Sequence, residues 1–123
     1  MTAGLMLCDD LIFFSRVASA ARAAGAAVKQ ARTPAEALKL AATATPGGVL
    51  IDLHNEALDL PAFLAELRAA CPTMPRTVAF GSHVDAERLR AARAAGCDRV
   101  LPRSKFVEEL ETDIAAWLTP AAS

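Results

Sequence analysis

Five times along the chain, a short apolar run gives way to a stretch whose apolar residues recur every three or four positions. Gly4–Cys8 precedes a segment from Leu11 to Ala24 in which Ile12, Phe13, Val17, Ala20 and Ala24 fall at helical spacing. A weaker run around Val28, residues 27–31, precedes a helix that extends to about Ala42. Val49–Asp52 precedes a helix from Pro61 with Phe63, Leu64 and Leu67 inward, and Thr77–Phe80 precedes one carrying Leu89, Ala92 and Ala95. Arg99–Leu101 precedes the last, from near Lys105 to Pro120, with Phe106, Leu110, Ile114 and Leu118 inward. Strands that read as continuous apolar runs are covered on both faces, which predicts an α/β fold: a parallel sheet with helices on each side and right-handed crossovers.

The punctuation agrees with this division. Thr33-Pro34 with Glu36 three residues after the threonine is a capping box, and Gly25 and Gly96 stop the first and fourth helices. Thr45-Pro46-Gly47 is a turn. The five units use all 123 residues, so a single domain over 1–123 is expected, with no attached output domain. Alanine supplies much of the 54% hydrophobic content, which suggests a thin core of small contacts.

A net charge of −1 argues against nucleic acid or an anionic membrane as partner. No apolar stretch approaches the roughly 20 residues of a membrane span, and the N-terminus lacks the pattern of a secretory signal. Cys8, Cys71 and Cys97 are odd in number and lack Cys-x-x-Cys spacing, as expected of reduced thiols in a cytoplasmic protein and not of a disulfide or zinc site.

The chemistry lies in the acids. Asp9 and Asp10 follow the first strand and Asp52 ends the third. Parallel strands bring their carboxyl ends to one edge, where open α/β sheets bind ligands. Three carboxylates together repel and raise one another's pKa, an arrangement that a cation between them relieves, and hard oxygen donors suit Mg²⁺. The bland alternative is three solvated loop acids.

These residues resemble the receiver domain of two-component response regulators along essentially the full chain. The likeness rests on Asp9-Asp10, on Asp52, on Ala95-Gly96-Cys97-Asp98 before the fifth strand, and on the spacing from Gly96 to Arg103, where receivers place a lysine. It implies a flavodoxin-like three-layer (βα)5 sandwich with strand order 2-1-3-4-5. It implies that Asp52 accepts a phosphoryl group, that Asp10 binds Mg²⁺ directly and Asp9 through water, and that the backbone carbonyl of His54 completes the protein ligands. The partners implied are a histidine kinase or phosphotransfer protein and a downstream protein, and the chain itself is not an enzyme.

Departures from the pattern mark an atypical or pseudo-receiver. Gly81 stands where receivers carry a hydroxyl, with Ser82 one residue later as its substitute. Arg103 replaces the lysine as the cation over the phosphate, Ser104 replaces the following proline, and Val100 replaces the aromatic switch residue. Asn55-Glu56 stands where Met-Pro follows the acceptor, and Leu60 where a glycine precedes the third helix. Two functional versions follow: a phosphorelay protein acting through protein–protein contacts, and a degenerate interaction module independent of phosphorylation. A small flavodoxin-like ligand binder or enzyme is the remaining alternative. The lack of a Gly-rich phosphate loop after the first strand and of a nucleophile–base pair argues against it.

Other residues read two ways. His83 is a surface loop residue or a contact of Asp52. Arg88, Arg90, Arg93 and Arg99 form a solvated basic face or a protein-binding one. Trp117 caps the core or anchors an interface, and a homodimer through the last two units would use Trp117 or the Arg88/Arg93 face.

Overall fold

The structure is a computed structural model that describes residues 2–120. Five strand–helix units alternate as expected: β1 (Thr2–Leu7), α1 (Leu11–Ala23), β2 (Ala26–Ala31), α2 (Pro34–Thr43), β3 (Gly48–Asp52), α3 (Leu60–Ala70), β4 (Arg76–Gly81), α4 (Ala86–Ala95), β5 (Arg99–Pro102) and α5 (Arg103–Trp117). All strand pairs are parallel and the order is β2-β1-β3-β4-β5, the flavodoxin-like arrangement.

The pleat sorts the strand side chains between two helical layers. Met6, Cys8, Leu50, Val78 and Phe80 face α1 and α5, while Leu5, Leu7, Val49, Ile51 and Ala79 face α2, α3 and α4. The expectation of a core made of small contacts fails on the first side. There Phe13, Phe80, Phe106 and Trp117 form a continuous aromatic cluster, with Phe106 stacked on Trp117 at 4.9 Å and tilted against Phe80 at 4.5 Å. Four large rings concentrated in one layer outweigh the average composition. On the other side Ala37, Ala41, Ala79 and Ala92 are fully buried, packed among larger residues that include Phe63, Leu64 and Leu67.

Helix boundaries follow local chemistry. Thr33 Oγ1 accepts the Glu36 N–H at 3.2 Å, as a capping box requires, but the Glu36 carboxylate reaches one residue further back than expected and takes the Arg32 N–H at 3.0 Å. The last helix starts at Arg103, not near Lys105, and ends at Trp117, short of Pro120. Pro102 holds φ at −57° and has no N–H to donate to a neighbour, so it both ends β5 and opens α5.

The C-terminus of α5 presses on the start of β3. A Cβ added to Gly48 would lie 1.9 Å from the Trp117 carbonyl oxygen, so only glycine allows that approach. Gly48→Ala should therefore destabilise the fold by about 1–3 kcal/mol or more through overpacking. Leu50→Ala, in the fully buried centre of β3, should cost about 2–5 kcal/mol through lost burial and a residual cavity. Urea unfolding midpoints measure both, and a neutral Leu50→Ala would contradict the burial described.

Candidate functional site at the carboxyl edge of the sheet

β3 delivers Asp52 to the carboxyl edge, next to Phe80 of β4. The residue is only 8% exposed. It opens into a cavity of about 370 Å³ that is also lined by His54, Gly81, Ser82, His83, Arg103 and Ser104. Its carboxylate is already engaged. Oδ1 accepts the His54 backbone N–H at 2.9 Å, and the Cys8 Sγ lies 3.8 Å from Oδ2.

Asp10 is the N-cap of α1, and its Oδ1 accepts the Phe13 N–H at 3.0 Å. Its Oδ2 lies 3.6 Å from Nη2 of Arg103. That capping bond first, and the guanidinium second, hold the Asp10 carboxyl below its ordinary range. Arg103 also stacks over the Phe13 ring, with Cζ 4.0 Å from the centroid. The first residue of α5 thus places a fixed cation at the cavity wall. Asp9 is exposed, and the cavity lining includes neither Asp9 nor Asp10.

Ser82 does not aim its hydroxyl as expected of a substitute for the missing side chain at Gly81. Its Oγ faces its own loop and accepts the Val84 N–H at 3.4 Å. Its backbone N–H instead donates to Nε2 of His54 at 2.9 Å. Sequence reasoning assigned His54 only a backbone role. Nothing in the spacing signals that its ring bridges β3 and β4, although the bare glycine at position 81 is in retrospect the mark of the space it occupies. His83 is exposed at the cavity mouth.

Several residues singled out in the sequence belong elsewhere. Trp117 is 4% exposed and stacked in the core, so it is no interface anchor. Arg88 stays exposed, but it pairs with Asp85 at 3.0 Å and donates from Nη1 to the Leu53 carbonyl at 2.8 Å. Arg93 lies 3.5 Å from the Val100 carbonyl, and Arg99 pairs with Glu109 at 2.6 Å. Asp98 binds the Thr77 N–H at 2.7 Å, which ties the α4–β5 turn to the start of β4. Asn55 ties the loop after Asp52 to the Arg32 carbonyl at 2.9 Å.

The donor set can be tested against a divalent cation. Among the described residues no three His, Cys, Asp or Glu side chains converge as a ready-made metal cluster. The donors are nevertheless hard oxygens on adjacent strand ends, and Asp10 Oδ2 is held by a long 3.6 Å pair to Arg103, which a cation would replace. The residues fit Mg²⁺ in chemistry, with Asp10 turned toward its cap and Arg103. Among the described residues no helix is long and apolar enough to cross a membrane.

No family model and no curated protein matches the chain. Among solved structures it is similar to NtrX from Brucella abortus, with TM-score 0.80 and 21% identity, covering 96% of this chain and 27% of that one. The Francisella response regulator 1452 receiver domain gives TM-score 0.78 and 20% identity, covering 96% and 97%. A response regulator from Burkholderia pseudomallei, holding a phosphorylated aspartic acid, a calcium ion and citrate, gives 0.73 and 23%, covering 94% and 70%. The chain has the fold of response-regulator receiver domains. It spans about a quarter of the length of NtrX.

The thiol beside Asp52 offers a direct check on this packing. Burial first, and the Asp52 charge as well, push Cys8 up to about 11, and burial pushes Cys97 to about 11 too. Both stay protonated in the folded protein where unfolded thiols ionise, near about pH 8.5. Their contribution to stability is therefore present below about pH 8.5 and lost as pH rises toward 11. Melting temperature should fall across that window, and Cys8 should resist iodoacetamide at pH near 8 in the native protein while labelling readily in urea. Equal labelling in both states would contradict the buried site.

Proposed function

We propose that the chain is a receiver-type signalling module whose Asp52 accepts a phosphoryl group and which acts by protein–protein contact, not as an enzyme. The observation that carries this reading is the placement of Asp52: a buried carboxylate at the end of the central strand, opening into a cavity whose wall holds the Arg103 guanidinium. Phosphoryl transfer asks mainly for positioning and charge neutralisation, which such a wall supplies. One Asp52 oxygen would form the new P–O bond as the bond from phosphorus to the donor breaks. The donor would be the phosphohistidine of a histidine kinase or phosphotransfer protein, or a small acyl phosphate. Asp9, Asp10, Asp52 and the His54 carbonyl would hold Mg²⁺, which neutralises the carboxylates and phosphoryl oxygens. Arg103 would screen the acceptor and leave Asp10 as the cation enters. The calcium ion and phosphorylated aspartic acid of the Burkholderia structure support the reading.

A second reading has its own support. Asp10 is committed to its cap and to Arg103, and the Ser82 N–H is already bonded. That is the condition of a pocket closed on itself, as in a module that binds partners without phosphorylation. Intact mass after incubation with acetyl phosphate and Mg²⁺ separates the two. One added phosphoryl group in the wild type, absent in Asp52→Asn and without Mg²⁺, is the expected result. No mass change under any condition would favour the phosphorylation-independent module.

A further inference from the structure

We propose that His54 is a positioning residue that links the state of the Asp52 carboxylate to the start of α4, using the space left open by Gly81. The link to Asp52 as an acceptor rests on the reading above; the imidazole contact itself does not.

Two bonds meet in this one residue. Its backbone N–H donates to Asp52 Oδ1 at 2.9 Å, and its Nε2 accepts the Ser82 N–H at 2.9 Å. A backbone amide can only donate, so Nε2 carries no proton and a neutral ring carries its proton on Nδ1. The ring fits because residue 81 has no side chain. A Cβ there would lie 3.3 Å from Nε2, and 3.4 Å from both Leu53 Cδ1 and Leu89 Cδ2, so a larger side chain would have to displace the imidazole.

From Ser82 the connection continues. The Ser82 carbonyl accepts the Asp85 N–H at 3.1 Å, and Asp85 caps α4 by accepting the Arg88 N–H at 3.1 Å. Arg88 closes the circuit through the Leu53 carbonyl at 2.8 Å, adjacent to Asp52. A bond from either Asp52 oxygen to phosphorus removes carboxylate charge and weakens the His54 N–H contact, because bonds to ionised acceptors are the strong ones. Residue 54 then moves and its ring loosens from Ser82. His54 is itself exposed, so the ring can leave without opening the core.

The test compares wild type, His54→Ala and His54→Gln by amide spectra and hydrogen exchange, each without ligand and with beryllofluoride plus Mg²⁺. Without ligand, His54→Ala should shift the Ser82 amide and speed its exchange roughly fivefold, as expected for one lost hydrogen bond. Glutamine, with an acceptor at similar reach, should restore much of both. An unchanged Ser82 amide in His54→Ala overturns the imidazole link. With beryllofluoride, shifts should extend through Ser82 to residues 85–88 in the wild type and stay near Asp52 in His54→Ala. Equal spread in the two proteins overturns the read-out role. If beryllofluoride leaves the Leu53 and His54 amides unmoved in the wild type, the phosphoryl reading fails and the read-out role with it, while the ligand-free comparison still decides the imidazole link.

Discussion

Everything at the functional edge depends on the complete burial of β3. All five residues from Gly48 to Asp52 are buried, and the strand is paired on both sides and covered on both faces. A strand so enclosed has one place to put a charge, the end at which the sheet stops. Asp52 is that end. Gly48 sets the opposite limit by admitting the α5 C-terminus against the backbone. The place of Asp52 is thus fixed by packing at both ends of a short segment, and the His54 N–H in the loop that follows then holds its carboxylate.

The alternation of apolar runs and helical periods was enough to read the fold, because it reports burial directly. β3 and β4 were read nearly to their ends. The boundary at α5 was missed because Pro102 can end a strand or start a helix, and local propensity does not choose. The expectation of a small-residue core holds only for the alanines of the α2–α4 side, which are packed among large residues such as Phe63 and Leu67, because composition does not say where the large side chains gather.

The site was legible to the extent that its parts are strand ends. Asp52, Arg103 and Ser82 do line one cavity. What stayed hidden was direction. Asp10 is drawn to the free N–H groups of α1 and Ser82 turns its hydroxyl to its own loop, both local bonds that compete with any role toward the cavity. The His54 ring and the Arg88–Leu53 contact join residues 28 and 35 positions apart, and a single sequence carries no signal for such pairs.

α5 and α4 differ in how firmly they grip the sheet. α5 is held by Phe106, Leu110, Ile114 and Trp117, interlocked with rings from α1 and β4. α4 rests on Leu89 and Ala92 alone among its buried residues. Interlocked rings resist sliding, because any displacement forfeits many close contacts at once. A helix seated on one leucine and one alanine forfeits few. α5 is accordingly locked over the sheet by its packing, while α4 can be displaced at smaller cost.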